Sequence, residues 1–298
     1  FPYTTLFRSK RFGLGMLSPT VVILLIMTAY PLFFTLVYSF TDYNYLKGTE
    51  NASFVLFDNY VSLFKNGYFQ QAVWNTIKFT ILAVVLEMAL GLLIAVFVNS
   101  LKRGQKIMRT LLLLPYLLPA VTVALSWRMM LSANYGIINQ FLKGLGLPVF
   151  NWFMDTKTAF GTILLIDVWQ NVPFVFLLLY ASLQSVSENQ YEAARIDGLS
   201  EYGIWWHIML PLSLPALSTL TIFTFVNTWN DFLGPLIYLT KTELKTIQIG
   251  LRMFITQYSA EYGLIMAASV VALIPVLIVF LSLQKYFVQG VASTGIKG

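Results

Sequence analysis

Carboxyl and amide side chains set inside long apolar runs are the residues of this sequence best placed to do chemistry, because burying such groups is costly and each needs a reason to be there. Glu87 stands within the run 76–98, Asp167 and Asn171 within 161–183, and Asn227, Trp229, Asn230 and Asp231 within 212–239. The stretch "NTWND" joins amide and carboxyl acceptors to an aromatic platform. A sugar presents hydroxyls around its ring and C–H groups on its faces, so that combination suits it. Asn227, Trp229, Asn230 and Asp231 are therefore candidates for a substrate pathway. The competing reading is that each is glue between helices, since Asn and Asp also hydrogen-bond across helix contacts. Asp167 and Arg128 sit at similar depth and form a candidate ion pair.

Enzyme chemistry is poorly served. The chain has no Cys and one His, His207, so it offers no thiolate nucleophile, no disulfide and no Cys/His metal cluster. No Ser-His-Asp arrangement is apparent. No G-x-x-x-x-G-K-[ST] loop occurs either, so the chain is not expected to hydrolyse ATP. No metal and no cofactor are expected.

Of the 298 residues, 57% are hydrophobic and 11% charged, and the mean hydropathy is +0.71. A soluble domain is about a quarter charged, so these values describe an integral membrane protein. Runs of about 20 apolar residues, enough to cross a bilayer core as helix, fall at 16–40, 76–98, 110–131, 161–183, 212–239 and 264–287. The expected fold is all-α and polytopic, with six transmembrane helices in one transmembrane domain, 10–298. Residues 1–9, "FPYTTLFRS", match one reading frame of a common sequencing-adapter oligonucleotide and are expected to be non-native. The net charge of +6 reads as topology signal rather than nucleic-acid binding, since the basic residues cluster at the ends of apolar runs.

Lys and Arg counts set the orientation. Arg8, Lys10 and Arg11 precede the first span, Lys102, Arg103, Lys106 and Arg109 join the second to the third, and Lys285 and Lys297 follow the last. The opposite loops carry their basic residues diluted over longer segments. Both termini are thus expected in the cytoplasm, and so is the loop 187–211. That loop departs from the pattern, with Glu188, Glu192, Asp197 and Glu201 against Arg195.

"SENQ" at 187–190 has the spacing of a capping box and predicts a short helix. Gly198 predicts its end, and a second short helix is expected from about Glu201, before Leu210 and Pro211 return the chain to the membrane. Ala193 and Ala194 permit close approach of another backbone, Glu192 and Asp197 offer carboxylates to basic partners, and Trp205 and Trp206 supply apolar anchors. Such a loop suits either docking into a groove or lying at the headgroups.

Glu192, Ala193, Ala194, Gly198, Ile208, Leu210 and Pro211 stand in the spacing of the EAA signature, and the loop resembles that of ATP-binding-cassette importer permeases. The resemblance extends over nearly the whole chain, to the carbohydrate branch of maltose and glycerol-phosphate type. "LSPTVVILLIMTAYPLFFTLVYSFTDYN" is similar to the start of the first permease type in such systems, and "GLIMAASVVALIPVLIVFLSLQKYFVQGVASTGIKG" to the end of the second. It implies that 187–211 is a coupling-helix pair in which Glu192 meets a basic ATPase residue, Ala193 and Ala194 are buried at the contact, and Gly198 makes the corner. It also implies a sugar importer whose partners are a second permease in a heterodimer, two ATPase subunits and an extracytoplasmic solute-binding protein, in the inner membrane of a bacterium or archaeon. Import of a non-sugar solute by the same machinery, and secondary transport without an ATPase, are the alternatives.

Overall fold

The computed structural model describes residues 10–101, 103–184, 194, 196, 198–257 and 261–294. The fold is all-α; among the described residues the extended contacts are two isolated bridges, Thr41 with Phe54 and Asn44 with Glu261. The helices are α1 (Lys10–Leu24), α2 (Tyr30–Tyr38), α3 (Asp58–Lys65), α4 (Gly67–Ser100), α5 (Gln105–Leu117), α6 (Ala120–Met130) and α7 (Ile137–Gly144), then α8 (Thr156–Gln184), α9 (Glu201–Ile204), α10 (Leu210–Trp229), α11 (Leu233–Tyr238), α12 (Ile247–Gln257) and α13 (Tyr262–Thr294).

Among the described residues, five continuous helical stretches are long and apolar enough to span a membrane: Phe12–Tyr38, Gly67–Ser100, Thr156–Gln184, Trp205–Tyr238 and Tyr262–Tyr286. The third expected span, 110–131, is not a straight helix. α5 and α6 meet at an angle of 88°, and the pair makes a sixth span only if the bend is counted within it. The cause is local. Pro119 pushes the preceding residue out of the helical region, and Leu118 is accordingly extended, at φ −78° and ψ 137°.

Proline leaves a second mark on the spans. α1 and α2 are joined by a π turn, Leu25–Ala29, which ends two residues before Pro31. α9 and α10 are joined by another, Trp205–Met209, two residues before Pro211. A proline ring in a regular helix collides with the carbonyl four residues back and removes a donor, at a cost of about 3 kcal/mol. Widening the preceding turn to a π register moves that carbonyl aside while the helix continues.

The chain forms two compact units, one from 1–66 and 251–273, the other from 67–250 and 274–298. In the first, the segment after α2 is held by side chain to backbone bonds. Asn59 Nδ2 donates to the carbonyls of Ser39 and Thr41, at 2.9 and 2.8 Å, and Ser39 Oγ bonds Tyr60 Oη at 2.7 Å. The Gly263 amide donates to the Tyr43 carbonyl at 3.0 Å. A Cβ at Gly263 would overlap the Thr41 carbonyl oxygen, so this approach of backbone to backbone requires glycine.

In the second unit α4 lies along α8. The contact is closest at Gly91, where a Cβ would stand 2.6 Å from Val175 Cγ1 and 3.2 Å from the Phe176 amide nitrogen. Small residues permit such approach between membrane helices, where packing rather than the hydrophobic effect drives association. Two apolar clusters fill the unit. One, including Phe79, Val123, Phe153, Ile163 and Tyr238, lies toward the α6–α7 end; the other, including Val98, Phe176, Leu179, Leu183 and Leu220, lies toward the loop that follows α8. Asn75 and Thr76 at the start of α4 tie down the segment before α12: Asn75 Nδ2 donates to the Glu243 carbonyl at 2.7 Å, and the Ile247 amide donates to Thr76 Oγ1 at 2.7 Å.

Gly91→Ala is expected to overpack the α4–α8 contact and destabilise the protein by about 1–3 kcal/mol. Thermal unfolding of the detergent-solubilised protein would show it as a lowered Tm; an unchanged Tm would count against the contact.

Candidate functional site

The polar residues of the spans converge because helices stop there. α10 ends at Trp229, and the chain turns through Asn230, Asp231 and Phe232 before α11 begins. Asn and Asp favour such a turn because their short side chains bond nearby backbone groups in competition with the helix. Asn230 Nδ2 donates to the Val226 carbonyl at 2.9 Å, and the Gly234 amide donates to Asp231 Oδ1 at 3.3 Å. A Cβ at Gly234 would lie 2.7 Å from Asp231 Oδ2, so the glycine leaves room for the carboxyl to fold back over the new helix.

This broken helix faces α8 across a cavity of about 430 Å³. Asp167, Gln170 and Asn171 line it from α8, Asn227 and Thr228 from α10, and Asn230, Asp231 and Tyr238 from the turn and α11; Ala120 and Ala124 of α6 close one wall. Asn171 Nδ2 donates to Asp167 Oδ1 at 3.1 Å. Behind them Glu87 of α4, 1% exposed, lies beside both Asp167 and Asn171. Glu87 Oε1 and Asp167 Oδ2 are buried without a hydrogen-bond partner, an expensive arrangement for groups of this polarity.

Of the residues picked out in the sequence, Asn227, Asn230 and Asp231 line the cavity. Trp229 does not: it is 2% exposed and its ring stacks on Phe225, centroids 5.7 Å apart. The expected Arg128–Asp167 pair is absent. Arg128, in the last turn of α6, donates instead to the Ile237 carbonyl near the end of α11, at 2.9 Å. Gln170 and Tyr238 are lining residues that the sequence reading passed over. Gln170 was accessible to it, standing three residues after Asp167 and so on the same helical face; Tyr238 is brought in by the break in the helix.

The loop after α8 is the second candidate element. Glu192, Ala193 and Asp197 lie outside the described residues. Ala194 and Ile196 are helical, Ala194 buried and Ile196 85% exposed. Gly198 adopts φ +79°, and the Leu199 amide donates to the Ala194 carbonyl at 3.0 Å. That bond, closed over a left-handed glycine, is the Schellman ending of a helix. Ser200 Oγ then accepts the Gly203 amide at 3.2 Å and caps the start of α9. The second short helix is not a separate element: α9, the π turn holding Ile208 and α10 from Leu210 and Pro211 are contiguous. The π turn explains the difference, because it lets the helix pass Pro211 unbroken. At the base of the loop, Gln184 Nε2 donates to Tyr180 Oη at 2.5 Å, and Tyr180 Oη to Gln105 Oε1 at 3.0 Å. The Arg109 guanidinium lies 5.1 Å from the centre of the Tyr180 ring. The end of α8 is thereby fastened to the start of α5.

Spans broken around a polar cavity, with a helix and a glycine corner at the membrane edge, define a polytopic permease subunit. The comparisons with known proteins agree. Residues 87–293 match the family described as binding-protein-dependent transport system inner membrane component, and the chain belongs to that family. It is thus a multi-pass inner-membrane component of a transport system that works with a solute-binding protein. Among its relatives is the trehalose/maltose transport system permease protein MalF of Thermococcus litoralis, 30% identical over 94% of this chain and 96% of that protein. Another is the sn-glycerol-3-phosphate transport system permease protein UgpA of Escherichia coli, 30% identical over 76% of this chain and 75% of that one. A chain in the crystal structure of a bacterial alginate ABC transporter, in complex with its alginate pentasaccharide-bound periplasmic protein, has the same fold, with a TM-score of 0.78 at 21% identity over 94% of each chain.

Asn171→Leu removes the donor to Asp167 and is expected to destabilise the protein by about 1–3 kcal/mol. Asp167→Asn in the same background, which removes the carboxyl left without its donor, is expected to recover part of the loss in thermal unfolding.

Proposed function

We propose that this chain is the membrane-spanning half of an ATP-driven importer for sugars, with its cavity as part of the translocation pathway and 187–211 as its attachment to the ATPase. The sugar class is supported by the relatives' names, trehalose/maltose for one and arabinooligosaccharides for another. The cavity supports it physically, since clustered amides, carboxyls and a tyrosine offer the mixture of donors and acceptors that hydroxylated rings require.

The observation that carries the coupling assignment is the corner at Gly198, which ends one helix and sets Ile196 outward at the membrane edge. Glu192 and Asp197 add carboxylates for basic partners, and the small side chains of Ala193 and Ala194 suit close approach of another backbone. Leu210 and Pro211 mark the entry to α10. ATP hydrolysis belongs to separate subunits, two of them, and a second permease completes the bundle as a heterodimer. The clusters of Lys and Arg at the ends of the spans support a cytoplasmic side for both termini and, by the alternation of spans, for this loop. Closure of the ATPases on ATP would draw on the loop and turn the bundle outward; the binding protein would then deliver its sugar, and hydrolysis would reset the bundle. A bistable assembly is shifted in this way by contacts that differ between its two states.

Co-purification with the ATPase subunit and sugar-stimulated ATP hydrolysis test the assignment. Glu192→Lys and Gly198→Pro are each expected to lower stimulated hydrolysis by about ten-fold or more, the loss of a contact of about 1.4 kcal/mol. Gly198→Asn, which tolerates the left-handed conformation, should retain most of it. Unchanged coupling in the first two variants would leave the loop as a membrane-surface anchor.

A further inference from the structure

The cavity is polar but its charge has one sign. Asp167 and Asp231 line it, Asp231 lies near enough to Asp167 for their charges to interact, and Glu87 stands directly behind Asp167. No Lys, Arg or His is among the described residues that line it. Arg128 keeps its charge but lies outside the lining, donating to the Ile237 carbonyl, and it is not among the groups that act on Asp167 or Asp231. Two carboxyl oxygens of the group, Glu87 Oε1 and Asp167 Oδ2, are buried with no hydrogen-bond partner among the described residues.

A solute carrying a carboxylate, sulfate or phosphate would have to shed water here without meeting a cation. Ionised, the carboxyls of the wall repel it; protonated, they supply hydrogen bonds but no charge to offset the ion's desolvation. Burial of an unpaired ion is costly in either case. The amides, hydroxyls and carboxyls among the lining residues can bond a neutral polyol, and a cationic group would be attracted by the charge of ionised carboxyls.

We propose that this cavity selects by charge, admitting uncharged or amine-bearing hydroxylated solutes and excluding anionic ones. The proposal rests on the cavity being part of the translocation pathway, and it goes further in assigning Asp167 and Asp231 as the residues that determine specificity.

The absence of cysteine from the chain provides a direct test. Single cysteines placed at Asn227 and, on the opposing helix, at Gln170 would be reacted in membranes containing the assembled transporter with three small thiosulfonates, one neutral, one carrying a quaternary ammonium and one a sulfonate. Each rate is divided by the rate of the same reagent with 2-mercaptoethanol in solution, which removes intrinsic reactivity. The expected result is a normalised rate for the sulfonate reagent at least about 100-fold below that of the ammonium reagent. Asp167→Asn together with Asp231→Asn should narrow this gap to about ten-fold or less, while the neutral reagent's rate stays constant and so reports an intact cavity. Equal normalised rates in the parent would overturn the proposal, and so would a gap that survives both substitutions. Failure of all three reagents, the neutral one included, at both positions would overturn the pathway reading itself, an outcome distinct from failure of charge selection.

Discussion

Inside a bilayer a backbone amide has no water to bond, and every departure from regular helix must be compensated within the protein. This chain meets that constraint in three ways. At Pro31 and Pro211 the preceding turn widens to a π register and the helix goes on. At Leu118 and Pro119 the helix stops and turns by 88°. At Asn230 and Asp231 the side chains themselves bond the backbone that the break releases. The last of these breaks faces the carboxyl and amide groups of α8, and the polar cavity forms there, with Ala120, next to the second break, on its wall.

The same economy governs the side chains. Glu87, Asp167 and Asn171 lie between two apolar clusters, neither of which contains a carboxyl group. α4 and α8 approach most closely one turn away, at Gly91 and Val175, so the polar contact is held by tight packing beside it. Removing one member of such a group leaves its partners buried and unpaired, which costs more than the intact group contributes.

The sequence made the spans legible because about 20 apolar residues in a row have few other uses. It made the corner at Gly198 legible because a glycine following a capped helical stretch has a specific conformational purpose. Hydropathy says nothing about bending, so the break in 110–131 was hidden although Pro115 and Pro119 were in view. The contiguity of α9 with α10 was hidden for a related reason: a proline reads as a boundary, and a π turn that carries the helix past it leaves no compositional trace. Within "NTWND", residue type singled out Trp229 together with its neighbours, but helical phase separates them. Two residues rotate the side chain by about 200°, so Trp229 and Asn227 leave α10 on nearly opposite sides. Asn230, three residues on from Asn227, returns to the cavity face.

Because α9, the π turn and α10 form one uninterrupted stretch from Glu201 to Trp229, its ends are about 43 Å apart at 1.5 Å per residue. One end adjoins the Gly198 corner and the other carries Asn227 to the cavity wall. Such a stretch acts as a lever: a tilt of about 5° about one end carries the other through about 4 Å, comparable to the width of one water molecule or hydroxyl group. A displacement imposed at the Gly198 end would reach the cavity through this one helical stretch, without a relay of side-chain contacts in between, and the π turn near that end would set how compliant the stretch is.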